Sequence, residues 1–411
     1  MSTLAKPDYW QHDLVKADAH KELTTLNLGP THPATHGIFQ NVLTMDGEFV
    51  QSTQQTIGYI HRAFEKIAER KPYYQLTTLT DRMNYCSAPI NNMGWHMSVE
   101  KLLGIETPKR VDYMRVIVME LARIADHLIC NSVIGVDTGA LTGFTYIFQD
   151  REAIYEIFEE ICGARLTTNM GRIGGFERNF NETVWAKLKR FLDHYPKKLK
   201  EFENLLVRNR IFMDRTIDCG PFPADRALAY GFTGPNLRAC GVDYDVRVAD
   251  PYCSYNEFDF EIPIGQNGDT YDRFMVREKE MWQSLSIIRQ AVEKLEKMPD
   301  KKTFTAEVPE WVLPPKEEVY SQMEALIWHF KIVMGETDVP RGEVYHCVEG
   351  ANGELGFYLV SDGGRTPARL HFRRPCFIYY QAYPEMIKGG MLSDAILTMS
   401  SMNVIAGELD A

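Results

Sequence analysis

Four stretches of the chain repeat apolar residues at steps of three and four, a spacing that predicts helices. The clearest runs from Asp112 to Ile134, where a few charged residues, among them Glu120 and Asp126, interrupt an otherwise apolar segment. This pattern predicts a central helix that is buried on most sides. The other predicted helices are 151–162, 182–210 with a bend near Pro196, and 270–298.

Two further regions carry patterns that predict paired strands. Residues 39–50 predict a hairpin, because two strand-like runs flank the turn-forming pair Asp46-Gly47. Residues 343–348 and 356–360 predict a second pair of strands around a Gly-rich turn. Strands at both ends and long helices between them indicate that the fold class is not all-α.

The predicted elements indicate an α+β fold with a central long-helix bundle, an N-terminal α/β part and a C-terminal β-containing part. We interpret the Pro- and Lys-rich residues 299–318 as a surface connection rather than a linker between domains. The chain is therefore expected to form one compact domain. Its predicted parts are a poorly patterned tail at 1–25, an α/β region with a histidine loop at 26–95, a helical bundle core at 96–340 and a β-containing region at 341–411.

The composition narrows the class of protein. With 411 residues and 45% hydrophobic content, the chain can form a large core. Its net charge of -11 argues against a nucleic acid or an anionic lipid surface as the main partner, because phosphates attract clustered positive charge. Residues 1–11 are polar and no window of about 20 residues is apolar throughout, so we expect no signal peptide and no membrane span.

The cysteines narrow the possible metal chemistry. Eight of them occur singly, without a CxxC pair: Cys86, Cys130, Cys162, Cys219, Cys240, Cys253, Cys347 and Cys376. This spacing predicts neither a zinc ribbon nor an iron–sulfur cluster bound by this chain itself, and we interpret the cysteines as reduced thiols in a cytoplasmic setting. The motifs GxxxxGK[ST], HExxH and GxSxG do not occur, and residues 171–175 lack the spacing of a dinucleotide loop.

The segment from Leu28 to Gly37 places His32 and His36 four residues apart, in a stretch whose prolines prevent a regular helix. Neutral imidazole binds metals and titrates near neutral pH, so this loop could form a metal site or a proton-handling site. The alternative is that both histidines only form hydrogen bonds with the backbone.

Two other side chains could handle protons. Tyr85 follows the charged pair Asp81-Arg82, and its hydroxyl could donate a hydrogen bond to a carbonyl or quinone oxygen and deliver a proton when that oxygen is reduced. Alternatively, Tyr85 lies at the edge of the core with its hydroxyl satisfied. Asp137 could orient a histidine, or it could form a helix cap or turn before Gly139.

Nine strings in order along the chain resemble the D-type (large peripheral-arm) subunit of proton-pumping NADH:quinone oxidoreductase, respiratory complex I. The match runs from about residue 26 to residue 410 and comprises LNLGPTHPATHG, IGYIHRAFEK, DRMNY, VEKLLGIETPKR, GVDTGALT, RIGG, GDTYDRF, YHCVEG and YLVSDG. This family shares its fold with the large subunit of nickel–iron hydrogenases. The resemblance therefore implies a nickel–iron hydrogenase large-subunit-like fold.

Those hydrogenases hold their metal through two CxxC-type pairs, one near each end of the chain. At the corresponding places this sequence has Arg82-Met83-Asn84-Tyr85-Cys86 and the segment from Asn403 to Leu409, which contains no cysteine. Thiolate ligation of nickel is therefore not expected, and no metal ligand is predicted in this chain.

The resemblance implies that a quinone headgroup occupies the vacated cavity. Tyr85 and His36 match the family's headgroup-binding Tyr and His, and Asp137 matches the Asp that pairs with that His. These three residues are then the expected quinone-binding and catalytic groups. Tyr85 and His36 would hydrogen-bond the quinone oxygens and supply protons, while Asp137 holds His36 protonated and oriented. Loss of charge balance at this pair on reduction could trigger motion toward the membrane arm.

Three more residues are expected near the electron-donating iron–sulfur cluster of a neighbouring subunit. Arg62 and Arg82 match family arginines there, where positive charge would raise the cluster's potential, and their alternative role is ordinary surface or interface pairing. Thr167 replaces a histidine that many members carry. We expect this change to make the potential less dependent on pH and to suit a low-potential quinone such as menaquinone. The segments 373–383 and 408–411 also depart from the family pattern.

The resemblance implies an oxidoreductase subunit that helps to transfer electrons from the neighbouring cluster to quinone, coupled to proton translocation. The implied partners are the cluster-bearing B-type subunit, the C-type subunit, the ferredoxin-like I-type subunit and the membrane H-type subunit. The implied location is peripheral, on the cytoplasmic side of the bacterial inner membrane. Two alternatives remain open: a non-catalytic scaffold, and the equivalent subunit of a ferredoxin-driven quinone reductase.

Overall fold

A computed structural model describes residues 14–18, 21–35 and 37–411. Its strands are β1 (Leu14–Asp18), β2 (Lys21–Leu28), β3 (Gln40–Asp46), β4 (Phe49–Thr56), β5 (Gly171–Arg172), β6 (Gly175–Phe176), β7 (Gly342–Gly350), β8 (Gly353–Ser361) and β9 (Arg369–Arg373). Its helices are α1 (Phe64–Ala68), α2 (Thr77–Thr80), α3 (Ala88–Leu103), α4 (Lys109–Asp137), α5 (Leu141–Cys162), α6 (Glu182–Leu206), α7 (Arg210–Thr216), α8 (Ala224–Tyr230), α9 (Gly234–Ala239), α10 (Val246–Ala249), α11 (Thr270–Lys297), α12 (Lys316–Ser321), α13 (Met323–Met334), α14 (Pro375–Tyr380), α15 (Tyr383–Ile387), α16 (Leu392–Ser401) and α17 (Ala406–Leu409).

The first sheet is an antiparallel meander of β1, β2, β3 and β4 in sequence order. The predicted hairpin at 39–50 is confirmed, and Gly47 supplies the positive φ of its turn. Strand β1 and the start of β2 lie within residues 1–25, which the sequence analysis described as a poorly patterned tail. Strand β2 is hydrogen-bonded to a neighbour on each side, and pairing between strands leaves little trace in the pattern of one strand.

The second large sheet contains β7, β8 and β9 in antiparallel order. The predicted strand pair at 343–348 and 356–360 is confirmed, with Gly350 paired to Gly353 at the turn.

The C-terminal end of the chain also reaches the first sheet. Val50 of β4 donates to the carbonyl of Gly390 at 2.9 Å and accepts from the amide of Gly389 at 2.7 Å.

The central predicted helix is confirmed as α4, which is buried along most of its length and packs against α3, α5, α11 and α16. Helix α11 matches its predicted bounds and is capped by Asp269, whose side chain accepts from the amide of Asp272 at 2.8 Å. Helix α5 begins ten residues before the predicted start at Arg151, because helix-breaking Gly and Thr residues obscure the pattern of its first turns. In this way the long helices form the predicted centre of the fold.

Two further differences from the prediction concern helices α6 and α3. The helix predicted to end at Arg210 stops at Leu206, and Asn209 caps the next helix by accepting from the amide of Ile211 at 2.9 Å. Helix α3 was not predicted, because residues 88–100 are all buried and the helix therefore has no polar face that would create a stripe. It runs through the boundary that the sequence analysis placed between residues 95 and 96.

A cluster of buried charges fastens the long helices to β7. Arg238 donates to Glu280 of α11 at 2.6 Å and to Glu349 of β7 at 2.9 Å, and lies 3.3 Å from Asp245. Glu280 also contacts His127 of α4 at 2.7 Å. The cluster continues through Arg247, Glu120 and Arg123. All of these side chains are buried, so each charge depends on its partners for stabilisation.

The α+β class predicted from the sequence is confirmed, with long helices between two antiparallel sheets. Within the described residues, no helix combines the length and the apolar character that a membrane span requires.

Candidate functional site

Tyr85 lies in a short 3-10 turn, Tyr85–Ser87, that leads into α3. Asn84 caps this turn, because its side-chain oxygen accepts from the amide of Cys86 at 3.2 Å. The main-chain carbonyl of Asn84 accepts from the side chain of Asn91 at 2.9 Å, which ties the turn to the first part of α3. The backbone that carries Tyr85 is therefore fixed on both sides.

The Tyr85 side chain is half-buried, and in the described part of the chain its hydroxyl has no hydrogen-bond partner. Burial raises the pKa of Tyr85 above its ordinary value, and Cys86, Cys376 and Asp126 contribute in the same direction. A phenol with a raised pKa keeps its proton at neutral pH. It can therefore donate a hydrogen bond to a ligand and release its proton only to a strongly basic oxygen.

The C-terminal segment packs directly on the Tyr85 turn. A Cβ atom at Gly407 would lie 2.5 Å from the carbonyl oxygen of Arg82, 2.6 Å from that of Met83 and 3.2 Å from Cδ1 of Tyr85. The two segments that correspond to the cysteine pairs of hydrogenases, 82–86 and 403–409, are therefore in contact. Within the described residues, no group of three His, Cys, Asp or Glu side chains is arranged to hold a metal ion.

Asp137 is the last residue of α4. Its carboxylate accepts a hydrogen bond from the hydroxyl of Ser400 at the end of α16. Burial of the carboxylate raises the pKa of Asp137, and the Ser400 hydrogen bond opposes that rise. Ser400 was not predicted from the sequence.

Asp126 and Asp137 lie on one face of α4, because eleven residues make about three turns and span about 16 Å. The residues that follow α16 run beside this face. Cys130, between the two aspartates, lies 3.7 Å from the carbonyl of Ser400, and Asn403 donates to Asp126 at 2.7 Å. One face of α4 therefore links Asp137 to the surroundings of Tyr85.

The histidine loop is irregular, as predicted, with a 3-10 turn at Pro33–Thr35. His32 is exposed, and its Nδ1 accepts from the amide of Ala34 at 3.1 Å, which agrees with the alternative of a histidine bonded to the backbone. Gly29 has φ +97°, and a Cβ there would lie 2.4 Å from the carbonyl oxygen of Phe39, so this position requires glycine. His36 lies outside the described residues, and its pairing with Asp137 stays a prediction.

Two of the three residues predicted near the cluster share one neighbourhood. Arg82 donates to the carbonyl of Thr78 at 2.6 Å. Asn92 of α3 donates both to Asp81 and, at 2.7 Å, to the carbonyl of Thr168, so the chain segment with Thr167 lies beside the pair Asp81-Arg82. Burial raises the pKa of Asp81 to about 6, while the hydrogen bond from Asn92 limits the rise.

Arg62, the third residue, is exposed and lies over the ring of Phe64, with 4.6 Å between its guanidinium carbon and the ring centroid. Its neighbour His61 contacts the carbonyl of Asp410 at 2.6 Å. The carboxylate of Asp410 in turn accepts from the amides of Gly58 at 2.9 Å and Ile60 at 3.1 Å. The divergent C-terminus is thus fixed to the segment that precedes Arg62.

Sequence reasoning missed the residues that hold the Tyr85 turn in place. Asn84 and Asn403 both donate to Asp126, which is fully buried on α4. The sequence offered one signal, a charged residue inside an apolar helix. A charged residue that is buried in this way requires hydrogen-bonding or charged partners. The sequence alone could not name those partners.

Comparisons with known proteins identify the family. The model of the family described as "Respiratory-chain NADH dehydrogenase, 49 Kd subunit" matches residues 137–411. A D-type NADH-quinone oxidoreductase subunit of Cytophaga hutchinsonii is 76% identical over 389 residues, which cover 95% of this chain and 99% of that protein. The D-type subunit of Flavobacterium johnsoniae is 68% identical over 415 residues, which cover all of both chains. The C/D-type subunit of Bdellovibrio bacteriovorus is 48% identical over 94% of this chain and 68% of its own length. As the resemblance predicted, this chain belongs to the family of the 49-kDa, or D-type, subunits of respiratory NADH-quinone oxidoreductase.

Proposed function

We propose that this chain is the quinone-binding subunit of a NADH-quinone oxidoreductase, in which Tyr85 and His36 hydrogen-bond the quinone headgroup and Asp137 orients His36. The observation that carries the proposal is the Tyr85 hydroxyl, which is half-buried and has no partner among the described residues. A half-buried phenol without a protein partner can donate a hydrogen bond to a ligand. The names of the relatives, all NADH-quinone oxidoreductase subunits, support quinone as that ligand.

In this proposal the protein contributes position and protons. Reduction makes the quinone oxygens strongly basic, and Tyr85, whose pKa burial raises, gives up its proton only at that stage. An iron–sulfur cluster held by a neighbouring subunit would supply the electrons. We place that cluster near Arg82 and Thr167, whose segments adjoin through Asn92. Arg62 would act as a second positive charge near the cluster, in addition to Arg82.

We infer the type of quinone from Thr167, which replaces a histidine near the cluster. A hydroxyl at this place removes one titrating ring, so the cluster's potential should depend less on pH and suit a low-potential quinone such as menaquinone. A full proton-coupled slope of the potential near neutral pH would contradict this part of the proposal.

The chain works as one subunit of a multisubunit complex. The C/D-type relative carries both subunit types in one protein, which supports a C-type partner for this chain. We further propose contacts with the B-type, I-type and H-type subunits, and a peripheral position on the cytoplasmic side of the inner membrane, with membrane contact only through the complex.

The test is quinone reduction by the assembled complex carrying Tyr85→Phe or His36→Ala. Each variant should lose most quinone reduction, while NADH oxidation with a water-soluble acceptor that takes electrons upstream stays unchanged. Tyr358→Phe is the matched control, because that hydroxyl donates to Glu343 at 2.8 Å on the second sheet. Unchanged quinone reduction in both site variants would favour the non-catalytic scaffold instead.

A further inference from the structure

We infer that Asp126 is a positioning residue that holds Tyr85 in place for quinone. This inference rests on the proposed function, because it assigns a role within the same site. Asp126 lies in the middle of α4 and is fully buried. Each of its two carboxylate oxygens accepts one amide N–H, from Asn84 at 2.7 Å and from Asn403 at 2.7 Å.

The first of these contacts fixes the turn that carries Tyr85. The side-chain oxygen of Asn84 accepts from the amide of Cys86, so its nitrogen must point away from the turn, toward Asp126. The amide cannot rotate by half a turn without losing both hydrogen bonds. Asp126 therefore determines the orientation of the cap immediately before Tyr85.

The second contact fixes the C-terminal segment that packs on Tyr85. Asn403 has φ +57°, donates to Asn352 at 2.6 Å as well as to Asp126, and accepts from the hydroxyl of Tyr379 at 3.0 Å through its carbonyl. Four residues later, Gly407 lies against the carbonyls of the Tyr85 turn. Asp126 thus fastens both neighbours of Tyr85 to α4.

The two contacts require two acceptor atoms. Asp126 forms no ion pair with the cationic side chains of the described residues, and the two amides are its hydrogen-bond donors. A neutral amide at this position would offer only one acceptor, and its nitrogen would face the nitrogen of Asn84 or Asn403. A carboxylate is the side chain that can accept a hydrogen bond on both sides.

The test begins with Asp126→Asn in the assembled complex. One of the two contacts becomes a donor facing a donor, so quinone reduction should fall about tenfold or more, as expected for a displaced reacting group. NADH oxidation with an upstream acceptor should not change.

The rescue variant is Asp126→Asn combined with Asn84→Asp. The nitrogen at 126 then donates to a carboxylate at 84, that carboxylate still accepts from the amide of Cys86, and the oxygen at 126 still accepts from Asn403. The double variant keeps every hydrogen bond and the total charge, and it reverses the donor and the acceptor only in the hydrogen bond between residues 126 and 84. Quinone reduction should return to within about threefold of the wild type, a recovery that a packing defect at 126 would not give.

The outcomes separate this inference from the proposed function. If Tyr85→Phe lowers quinone reduction and Asp126→Asn does not, the inference is wrong and the proposed function stands. If Asp126→Asn lowers it and the double variant does not recover, Asp126 does not act through Asn84 and the inference is again wrong. If the single variant fails to assemble, the double variant decides, because its assembly and activity would support the reversed hydrogen bond and its failure would contradict it.

Discussion

Gly407→Ala tests how closely the C-terminal segment and the Tyr85 turn must fit. The added Cβ would lie 2.5 Å from the carbonyl oxygen of Arg82 and 2.6 Å from that of Met83. Both obstacles are backbone atoms, which cannot rotate away as the end of a side chain can. Gly407 is not among the residues with positive φ, so the effect of the substitution is steric alone.

The magnitude follows from these distances. A Cβ atom is essentially never found closer than 3.0 Å to another heavy atom, so the segment and the turn must separate by about 0.5 Å. Overpacking of this kind costs about 1–3 kcal/mol. Because a displacement of about 1 Å at a reacting group can lower a rate about 100-fold, half that shift at Tyr85 should lower quinone reduction about tenfold.

The assay is quinone reduction by the assembled complex, with upstream NADH oxidation as the measure of intact electron input. Gly390→Ala is the matched control, because it lies in the same C-terminal region and a Cβ there would meet its nearest atom, the carbonyl oxygen of Ile387, at 3.4 Å. The control should keep wild-type activity. Equal activity of the Gly407 and Gly390 variants would refute the close fit.

Two further predictions concern charges. Arg238→Met should destabilise the fold by about 3–5 kcal/mol, seen as a lower thermal midpoint, because Glu280 and the other buried carboxylates lose their cation. Arg226→Met, which breaks the surface pair with Glu385, should change the midpoint little, and equal effects would contradict the prediction. Burial raises the pKa of Asp81 from 3.8 to about 6. The Asp81 contribution to the free energy of unfolding is therefore fully present below about pH 4 and is lost as the pH rises through 6. The total loss is about 3 kcal/mol. Asp81→Asn should remove that pH-dependent loss of thermal stability, and an unchanged pH profile would contradict the assignment.

The sequence predicted those elements whose pattern reflects one buried face. Helix α4 and the hairpin of β3 and β4 follow directly from spacing and turn chemistry. Helix α3 was missed because it is buried all round, and strand β2 because hydrogen bonding to its neighbours is not visible in its own sequence. Local periodicity reports the contrast between two environments, so an element that lies in a single environment leaves no periodic signal.

The candidate site shows the same limit. Tyr85 was chosen for its chemistry and for a family resemblance, and it lies beside the C-terminal segment as the hydrogenase comparison led us to expect. The asparagines that orient it were not found, because an amide in a loop has many alternative partners and the sequence gives no sign of which one is used. Only the fold brings Asn84 and Asn403 to the same carboxylate.

The arrangement around Asp126 also explains how the two segments stay together without thiolate ligands. In the hydrogenases that share the fold, cysteine pairs from both ends of the chain bind one metal centre, which joins those ends. Here the equivalent segments are joined by the Asp126 carboxylate, which accepts from one asparagine on each, and by Gly407, which allows their backbones to touch. This connection lies behind the Tyr85 turn, on α4. Within the described residues, the Tyr85 hydroxyl has no hydrogen-bond partner, so it can donate to a ligand that needs a proton donor rather than a metal.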